Sequence, residues 1–301
     1  MKELKIFGIV VAFTLVLYWG VEPFAHSQMH KHVEFENLKY NDLKPVVKGD
    51  AAKGEALAAA CVGCHSIEAK NMPAPMDAVM SAQTYGVNPP DLSLAGALLD
   101  EKFFTHFLLN PAEVTKSKHF AMPPSAGSEQ DAADIVAYFK SIAPKEEISP
   151  KASFAFACGR CHADRYDHWT QLGDVPKTKS NIKTGVDLDA LEFGKNLGQY
   201  QNKLADYMGK LPPDLSIIIR ARSEHFLKTF IENPQAQLPG TAMPRVGLNH
   251  EGMEKVMAYL EKTGDPSKEK REEVGPWVLL FFFVFTGLAY LWKKSMWKGH
   301  H

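Results

Sequence analysis

The position of the four cysteines constrains this 301-residue chain more than any other feature. All four lie in two copies of one pattern, Cys-x-x-Cys-His, at residues 61–65 and 158–162. Two thiols at positions i and i+3 of a helix face the same way, so each can bond one vinyl group of a haem while the next residue, histidine, reaches the iron. The pattern therefore predicts two covalently bound haem c groups. Their attachment residues are Cys61, Cys64, Cys158 and Cys161, and their proximal iron ligands are His65 and His162.

A structural zinc site is the main alternative for such residues. The two cysteine pairs are far apart in the sequence, however, and each has its own histidine directly behind it, which favours haem over zinc. The preceding residues predict that each pattern lies on a helix. Asp50 is suited to cap the first helix, and Ser149 followed by Pro150 is a typical start for the second.

The segments that follow the two patterns repeat one another. Pro-Pro-Asp-Leu-Ser occurs at residues 89–93 and again at 212–216. Each copy is followed by an apolar helix pattern that ends at Asn-Pro. Ala-Met-Pro then occurs at residues 121–123 and 242–244. The duplication predicts a mainly α protein with two tandem haem domains.

The repeated Ala-Met-Pro supplies a candidate for the sixth iron ligand in each domain. Methionine opposite histidine is a common axial pair, so we expect Met122 and Met243 to be the distal ligands. His119 is an alternative for the first iron, although it has no counterpart in the second repeat. The other ring nitrogen of each ligating histidine needs a fixed acceptor, and we expect the backbone carbonyls of the Pro-Pro pairs at 89–90 and 212–213 to serve.

The second repeat contains an insertion, residues 163–211, between its haem pattern and its Pro-Pro-Asp. Part of the insertion has apolar residues at helical spacing, namely Leu197, Tyr200, Leu204 and Tyr207. Two interpretations remain open. The insertion is either a surface for a partner protein or an excursion that packs on its own domain.

Both ends of the chain carry apolar runs. Residues 4–21 are apolar apart from one lysine and one threonine, and residues 275–292 contain no charge and precede Lys293 and Lys294. A cleaved signal peptide is the alternative for the first run, but the run ends in Tyr-Trp-Gly-Val rather than Ala-x-Ala, which favours a retained anchor. We expect two membrane-spanning helices.

These observations predict the organisation of the whole chain. The segments are an N-terminal membrane anchor (1–24), a linker (25–49), a first cytochrome c domain (50–145), a second (146–265) with the insertion 163–211, a charged linker (266–274), a C-terminal transmembrane helix (275–292) and a cytoplasmic tail (293–301). Lysines flank both spans at the chain ends, which predicts cytoplasmic termini and periplasmic haem domains on the inner membrane. The formal charge of -1 includes no polybasic block, so nucleic-acid binding is not expected.

The chemistry is expected to belong to the cofactors, because no hydrolytic triad, phosphate-binding glycine loop or paired-carboxylate site is recognisable. Two fused class I cytochrome c domains resemble cytochrome c4, and the added C-terminal anchor resembles cytochrome c1. The combination is similar to the diheme cytochrome c1 subunit of some bacterial cytochrome bc1 complexes. This resemblance implies an electron-transfer subunit, not catalytic alone, in a quinol-cytochrome c oxidoreductase. It also implies cytochrome b and Rieske iron-sulfur subunits as partners, with the Rieske protein as donor and a soluble cytochrome c or terminal oxidase as acceptor.

Two further families remain as alternatives. A diheme subunit of a cbb3-type cytochrome c oxidase also carries two haem domains, but its anchors precede them. A diheme cytochrome c peroxidase requires an iron with an open or reversibly ligated position, which two Met-ligated haems do not offer.

Overall fold

The structure, a computed structural model, describes residues 2–29, 33–117, 120–177 and 187–298. Helices dominate it, which confirms the mainly α fold class. The N-terminal segment is helical throughout and comprises α1 (Lys2–Val16), a π-helical turn (Leu17–Val21) and α2 (Glu22–Met29). Residues 3–27 are long and apolar enough to cross a membrane, with a mean hydropathy of 2.1.

The first domain is a compact group of short helices around its haem pattern. Its elements are α3 (Ala51–Ala58), a 3-10 turn (Ala59–Gly63), α4 (Ala78–Tyr85), α5 (Ala95–Leu98), α6 (Glu101–Leu109), α7 (Pro111–Val114) and α8 (Glu129–Ile142). The first and last of these helices pack closely, because a Cβ at Gly54 would lie 1.9 Å from the carbonyl oxygen of Asp134. Asp50 caps α3 by accepting a hydrogen bond from the backbone N–H of Ala52, as the sequence predicts.

The second domain repeats this plan and adds the insertion. Its elements are α9 (Pro150–Phe154), a π-helical turn (Ala155–Gly159), a hairpin of β1 (Trp169–Thr170) and β2 (Gly173–Asp174), α10 (Leu188–Met208), α11 (Ile218–Ala221), α12 (Glu224–Glu232), α13 (Pro234–Gln237) and α14 (His250–Gly264). The hairpin is antiparallel, with Thr170 opposite Gly173. Ser149 caps α9 and Pro150 is its first residue, as predicted.

The duplication is visible in the backbone. The Asn-Pro pairs end α6 and α12 as the sequence predicts, and a new helical turn begins at each proline. Asn110 has φ -150° and ψ 81°, while Asn233 has φ -150° and ψ 83°. The two domains therefore use the same corner to turn the chain toward the loop that carries the predicted distal methionine.

The two domains share one apolar core. The backbone N–H of Asn249 donates to the carbonyl of Leu98, and that of Asp100 donates to the carbonyl of Gly247, both at 2.9 Å. Buried side chains from both domains lie in the same cluster, which includes Leu98, Phe103, Phe154, Leu248, Met253 and Val256. The orientation of one domain relative to the other is consequently fixed by packing rather than by a flexible joint.

Residues 33–49, which we call the strap, lie across both domains. The carboxylate of Glu232 on α12 accepts hydrogen bonds from the backbone N–H groups of Glu36 and Leu38. On the other side, the Lys102 side chain donates to two strap carbonyls, at Lys39 and Tyr40. Part of the segment predicted as a linker is thus an ordered connection between the domains.

The centre of the strap is held by an aromatic ring and an ion pair. Tyr40 is fully buried, and its hydroxyl donates to the carbonyl of Leu248 at 2.6 Å. The buried Arg245 guanidinium lies 4.7 Å from the centre of that ring and forms a bidentate pair with Asp42 at 2.8 and 2.9 Å.

The chain ends in one long helix, α15 (Lys268–Met296). The predicted charged linker forms its first turns and is continuous with the apolar part, whose mean hydropathy is 2.0 over the most apolar stretch. This helix is also long and apolar enough to cross a membrane. Lys293 near its end pairs with Glu3 of α1 at 2.5 Å, so the start of α1 and the end of α15 lie side by side.

Candidate haem sites

Both cysteine patterns adopt the same tight turn at the end of a helix. In the first, the N–H groups of Cys64 and His65 donate to the carbonyl of Cys61 at 3.1 and 2.9 Å. In the second, the equivalent distances to the carbonyl of Cys158 are 3.0 and 2.9 Å. No disulfide joins any of the four cysteines. The first motif comes after α3 and the second comes after α9, so the two motifs occupy equivalent positions in the two repeats.

The predicted proximal histidines are held in the tautomer that an iron ligand would require. Nδ1 of His65 lies 2.8 Å from the carbonyl oxygen of Pro90, and Nδ1 of His162 lies 2.8 Å from that of Pro213. A carbonyl only accepts, so Nδ1 carries the proton and Nε2 keeps its lone pair for a metal. The predicted contact with the Pro-Pro carbonyls is therefore confirmed in both repeats.

The surroundings of these rings disfavour their charged form. Burial lowers the pKa of both His65 and His162 and outweighs the hydrogen bond to the proline carbonyl, which raises it; the positive charge of Arg160 lowers the pKa of His65 further. Burial also raises the pKa of the Cys61 thiol, and it raises the pKa of Cys158 to about 12.

These properties fit a haem better than a zinc ion. A structural zinc site needs four ligands close together, whereas a covalently attached haem needs two thiols and one histidine. Within the described ranges, no three His, Cys, Asp or Glu side chains are grouped as a metal site. A neutral histidine directly after a pair of thiols matches the donor set of a covalently attached haem.

The aspartates of the repeated Pro-Pro-Asp hold the turn that orients each histidine. The Asp91 carboxylate accepts from the Ser66 hydroxyl at 3.0 Å and from the N–H of Glu68 at 2.9 Å. In the second domain, the Asp214 carboxylate accepts from the N–H of Arg165 at 3.3 Å. These aspartates had no predicted role, although their repetition beside the prolines was the available signal.

The predicted distal methionines lie in loops and are half-buried. Met122 packs against the apolar cluster of the first domain that Cys61 also contacts. Met243 follows α13, and its N–H donates to the Thr241 hydroxyl at 3.3 Å. His119, the alternative ligand for the first iron, lies outside the described residues. Both methionines remain predicted ligands.

The insertion surrounds the second motif with hydrogen-bond donors. Three consecutive carbonyls of the motif, at residues 159, 160 and 161, each accept from a side chain of the insertion. The donors are the Trp169 indole at 3.1 Å, the Tyr200 hydroxyl at 2.8 Å and the Gln171 amide at 3.2 Å. The same segment also packs α10 against α4 of the first domain, an arrangement that neither predicted interpretation includes.

Comparisons with known proteins identify one domain of the chain. Residues 51–143 match the family model for cytochrome c, so the chain contains a cytochrome c domain, and the first motif lies inside it. The chain is 26% identical to the ammonia monooxygenase gamma subunit of Nitrosomonas europaea, and the match covers 53% of this chain and 86% of that protein. It also resembles a chain from a solved structure described as hyperthermophilic respiratory Complex III. That likeness has 28% sequence identity, a TM-score of 0.36, and coverage of 50% of this chain and 74% of the other.

Proposed function

We propose that this chain is a membrane-anchored diheme c-type cytochrome that transfers electrons outside the cytoplasm. The observation that carries the proposal is the repeated histidine geometry. The second domain repeats the 2.8 Å contact from Nδ1 to a proline carbonyl found in the first, which matches the cytochrome c family. A histidine fixed this way in two copies of one motif supports a haem in each domain.

Each residue has a distinct role in this proposal. The cysteine pairs hold the cofactor covalently, the proximal histidines present Nε2, and Met122 and Met243 complete the coordination. When bound, each haem supplies an iron that is reversibly oxidised and reduced by one electron. The carboxylates of Asp91 and Asp214 keep the histidines oriented by fixing the Pro-Pro turns. The chain is not expected to catalyse a reaction alone.

The narrower proposal is the cytochrome c1 subunit of a quinol-cytochrome c oxidoreductase. The order of anchor, two haem domains and C-terminal anchor supports it, as does the Glu3–Lys293 pair, which is consistent with both termini on the cytoplasmic side. Electrons would then pass from a Rieske protein through the two haems to a soluble cytochrome c or an oxidase, beside cytochrome b.

A second candidate follows from the relative named as an ammonia monooxygenase gamma subunit. In that case the chain would serve as an electron-transfer subunit of a membrane monooxygenase. Both candidates need the same haem sites, so only the neighbouring subunits distinguish them.

Two measurements test these proposals. The first is the haem content of the purified full chain, measured as the alkaline pyridine adduct. We expect two haems per chain, and one in each of two matched double variants, Cys61→Ser with Cys64→Ser and Cys158→Ser with Cys161→Ser. A wild-type content of one haem would refute the diheme proposal.

The second measurement is mass spectrometry of the complex isolated from membranes in mild detergent. Cytochrome b together with a Rieske protein supports the cytochrome c1 assignment. Monooxygenase subunits or oxidase subunits in their place contradict that assignment and leave the proposed haem ligands unaffected.

A further inference from the structure

The helix α10 belongs to the second domain by sequence but packs on the first. Its buried residues Tyr200 and Leu204 contact Ala82 of α4, and Cys161 borders the same small cluster. The approach is close at Gly86, where a Cβ would lie 2.6 Å from the Tyr207 ring. Gly86 also has a φ of +83°, so a side chain there is disfavoured on two grounds.

The hydroxyl of Tyr200 connects the two haem motifs. It donates to the carbonyl of Arg160 at 2.8 Å, inside the second Cys-x-x-Cys-His. It also accepts from the N–H of Asn88 at 3.1 Å. Asn88 lies two residues before Pro90, whose carbonyl orients His65. A single buried group thus bonds to the proximal side of the first site and to the second motif at once.

Tyr207 extends the same face of α10 to the other side of the first site. It lies seven residues after Tyr200, so the two rings point in the same direction along the helix. Its hydroxyl accepts from the N–H of Ala121 at 3.1 Å. Ala121 directly precedes Met122, the proposed distal ligand. The two tyrosines therefore hold the backbone on both sides of the first haem site.

We propose that α10 is a clamp that positions the loops carrying both axial ligands of the first haem and fixes that site against the second motif. The inference rests on the proposed function, because it assigns Met122 and His65 as ligands. Tyr200 and Tyr207 are positioning residues in this scheme, since they act through the backbone of Asn88 and Ala121. The insertion of the second domain thereby controls how readily the first haem exchanges its methionine ligand.

The test is competition between an added ligand and the distal methionine in the full-length ferric protein. Imidazole binds the first iron only when the loop at Ala121 moves Met122 away. Removing one hydrogen bond from the loop that places Met122 at the iron shifts the equilibrium toward the displaced loop by about fivefold. In Tyr207→Phe we expect imidazole to bind the first haem about fivefold more tightly and the second haem as in wild type. Met122→Ala identifies the first haem, because its site then binds imidazole without competition.

Tyr166→Phe is the matched control. Tyr166 is 62% exposed and lies in the same insertion, so the loss of its hydroxyl should leave imidazole binding at both haems unchanged. The clamp is overturned if Tyr207→Phe behaves like this control, or if its effect appears at the second haem.

Tyr200→Phe supplies an independent readout. Its hydroxyl bonds to both motifs, so we expect electron paramagnetic resonance signals of both ferric haems to shift, whereas Tyr207→Phe shifts only the first. Unshifted signals in Tyr200→Phe overturn the link between the motifs. A protein that carries haem only at the first site would refute the diheme proposal instead, and imidazole competition at that haem would still test the clamp.

Discussion

Replacing Tyr40 by phenylalanine tests whether the strap stabilises the two domains as one unit. The substitution keeps the buried ring and its contact with Arg245 but removes the hydroxyl that donates to the Leu248 carbonyl at 2.6 Å. Burial raises the pKa of Tyr40 above its ordinary value, so the hydroxyl is protonated and can donate at neutral pH. The acceptor is left without this partner in a dry site, which costs about 2 kcal/mol.

The assay is equilibrium unfolding of the haem-loaded chain in detergent, followed by tryptophan fluorescence and by the haem absorption band. We expect one transition by both probes because the domains share a core. Tyr40→Phe should lower the unfolding free energy by about 2 kcal/mol with an unchanged denaturant slope. Tyr40→Ala should cost about 5 kcal/mol, because the ring is lost as well.

The exposed-site variant Tyr166→Phe is the control and should stay within about 0.5 kcal/mol of wild type. A loss below that value in Tyr40→Phe would contradict the reasoning. Two separate unfolding transitions for the two domains would also contradict it, because the strap would then not join the domains into one cooperative unit.

Three further predictions concern the ligands, the pH dependence and the helix packing. Met122→Ala and Met243→Ala should each keep haem attached and lower the potential of one centre in a potentiometric titration, and unchanged potentials would remove both from the ligand set. Burial of Asp42 raises its pKa, but the hydrogen bonds and charge of Arg245 outweigh this and lower it from 3.8 to about 2. The pair therefore contributes fully above pH 4, and its contribution is lost as the pH falls toward 2. Because the Asp42 side chain is 41% exposed, we expect the unfolding free energy to fall by about 1 kcal/mol over this pH range. Unfolding curves of Asp42→Asn should lack this pH-dependent decrease. Gly54→Ala should destabilise the first domain by about 3 kcal/mol or prevent folding, because its Cβ would overlap the α8 backbone; wild-type thermal stability would refute the close packing.

The local parts of both sites were predictable from the sequence. The caps at Asp50 and Ser149 and the helix ends at the two Asn-Pro pairs depend on residues near each other in the chain. The histidine contacts with the proline carbonyls join residues 25 and 51 positions apart, and only the repetition of Pro-Pro after each motif made them predictable. Such features follow from backbone hydrogen-bonding needs and from fixed proline geometry. Their repetition in two domains made each signal stronger.

The strap was not predictable because its partners are distant in sequence. Tyr40 meets Leu248, and Asp42 meets Arg245, across about two hundred intervening residues. Leu38 and Tyr40 also have positive φ values, a backbone state that local propensity disfavours for such residues. Contacts in the folded state override that preference. The surface on which α10 packs was not predictable for a related reason. Helical spacing shows that an apolar face exists but not which surface covers it.

Fixed geometry between the domains is what a diheme electron carrier requires. No bond is made or broken in the protein when an electron passes, so the protein contributes the ligands, their surroundings and the distance between centres. In the proposed diheme carrier, three separate structures would set that distance, namely the shared core, the strap and α10. Each connects the domains by a different route, so a substitution in the strap should change domain coupling without touching an iron ligand. Substitutions in α10 should alter the first haem while the core stays intact, which makes the two effects separable.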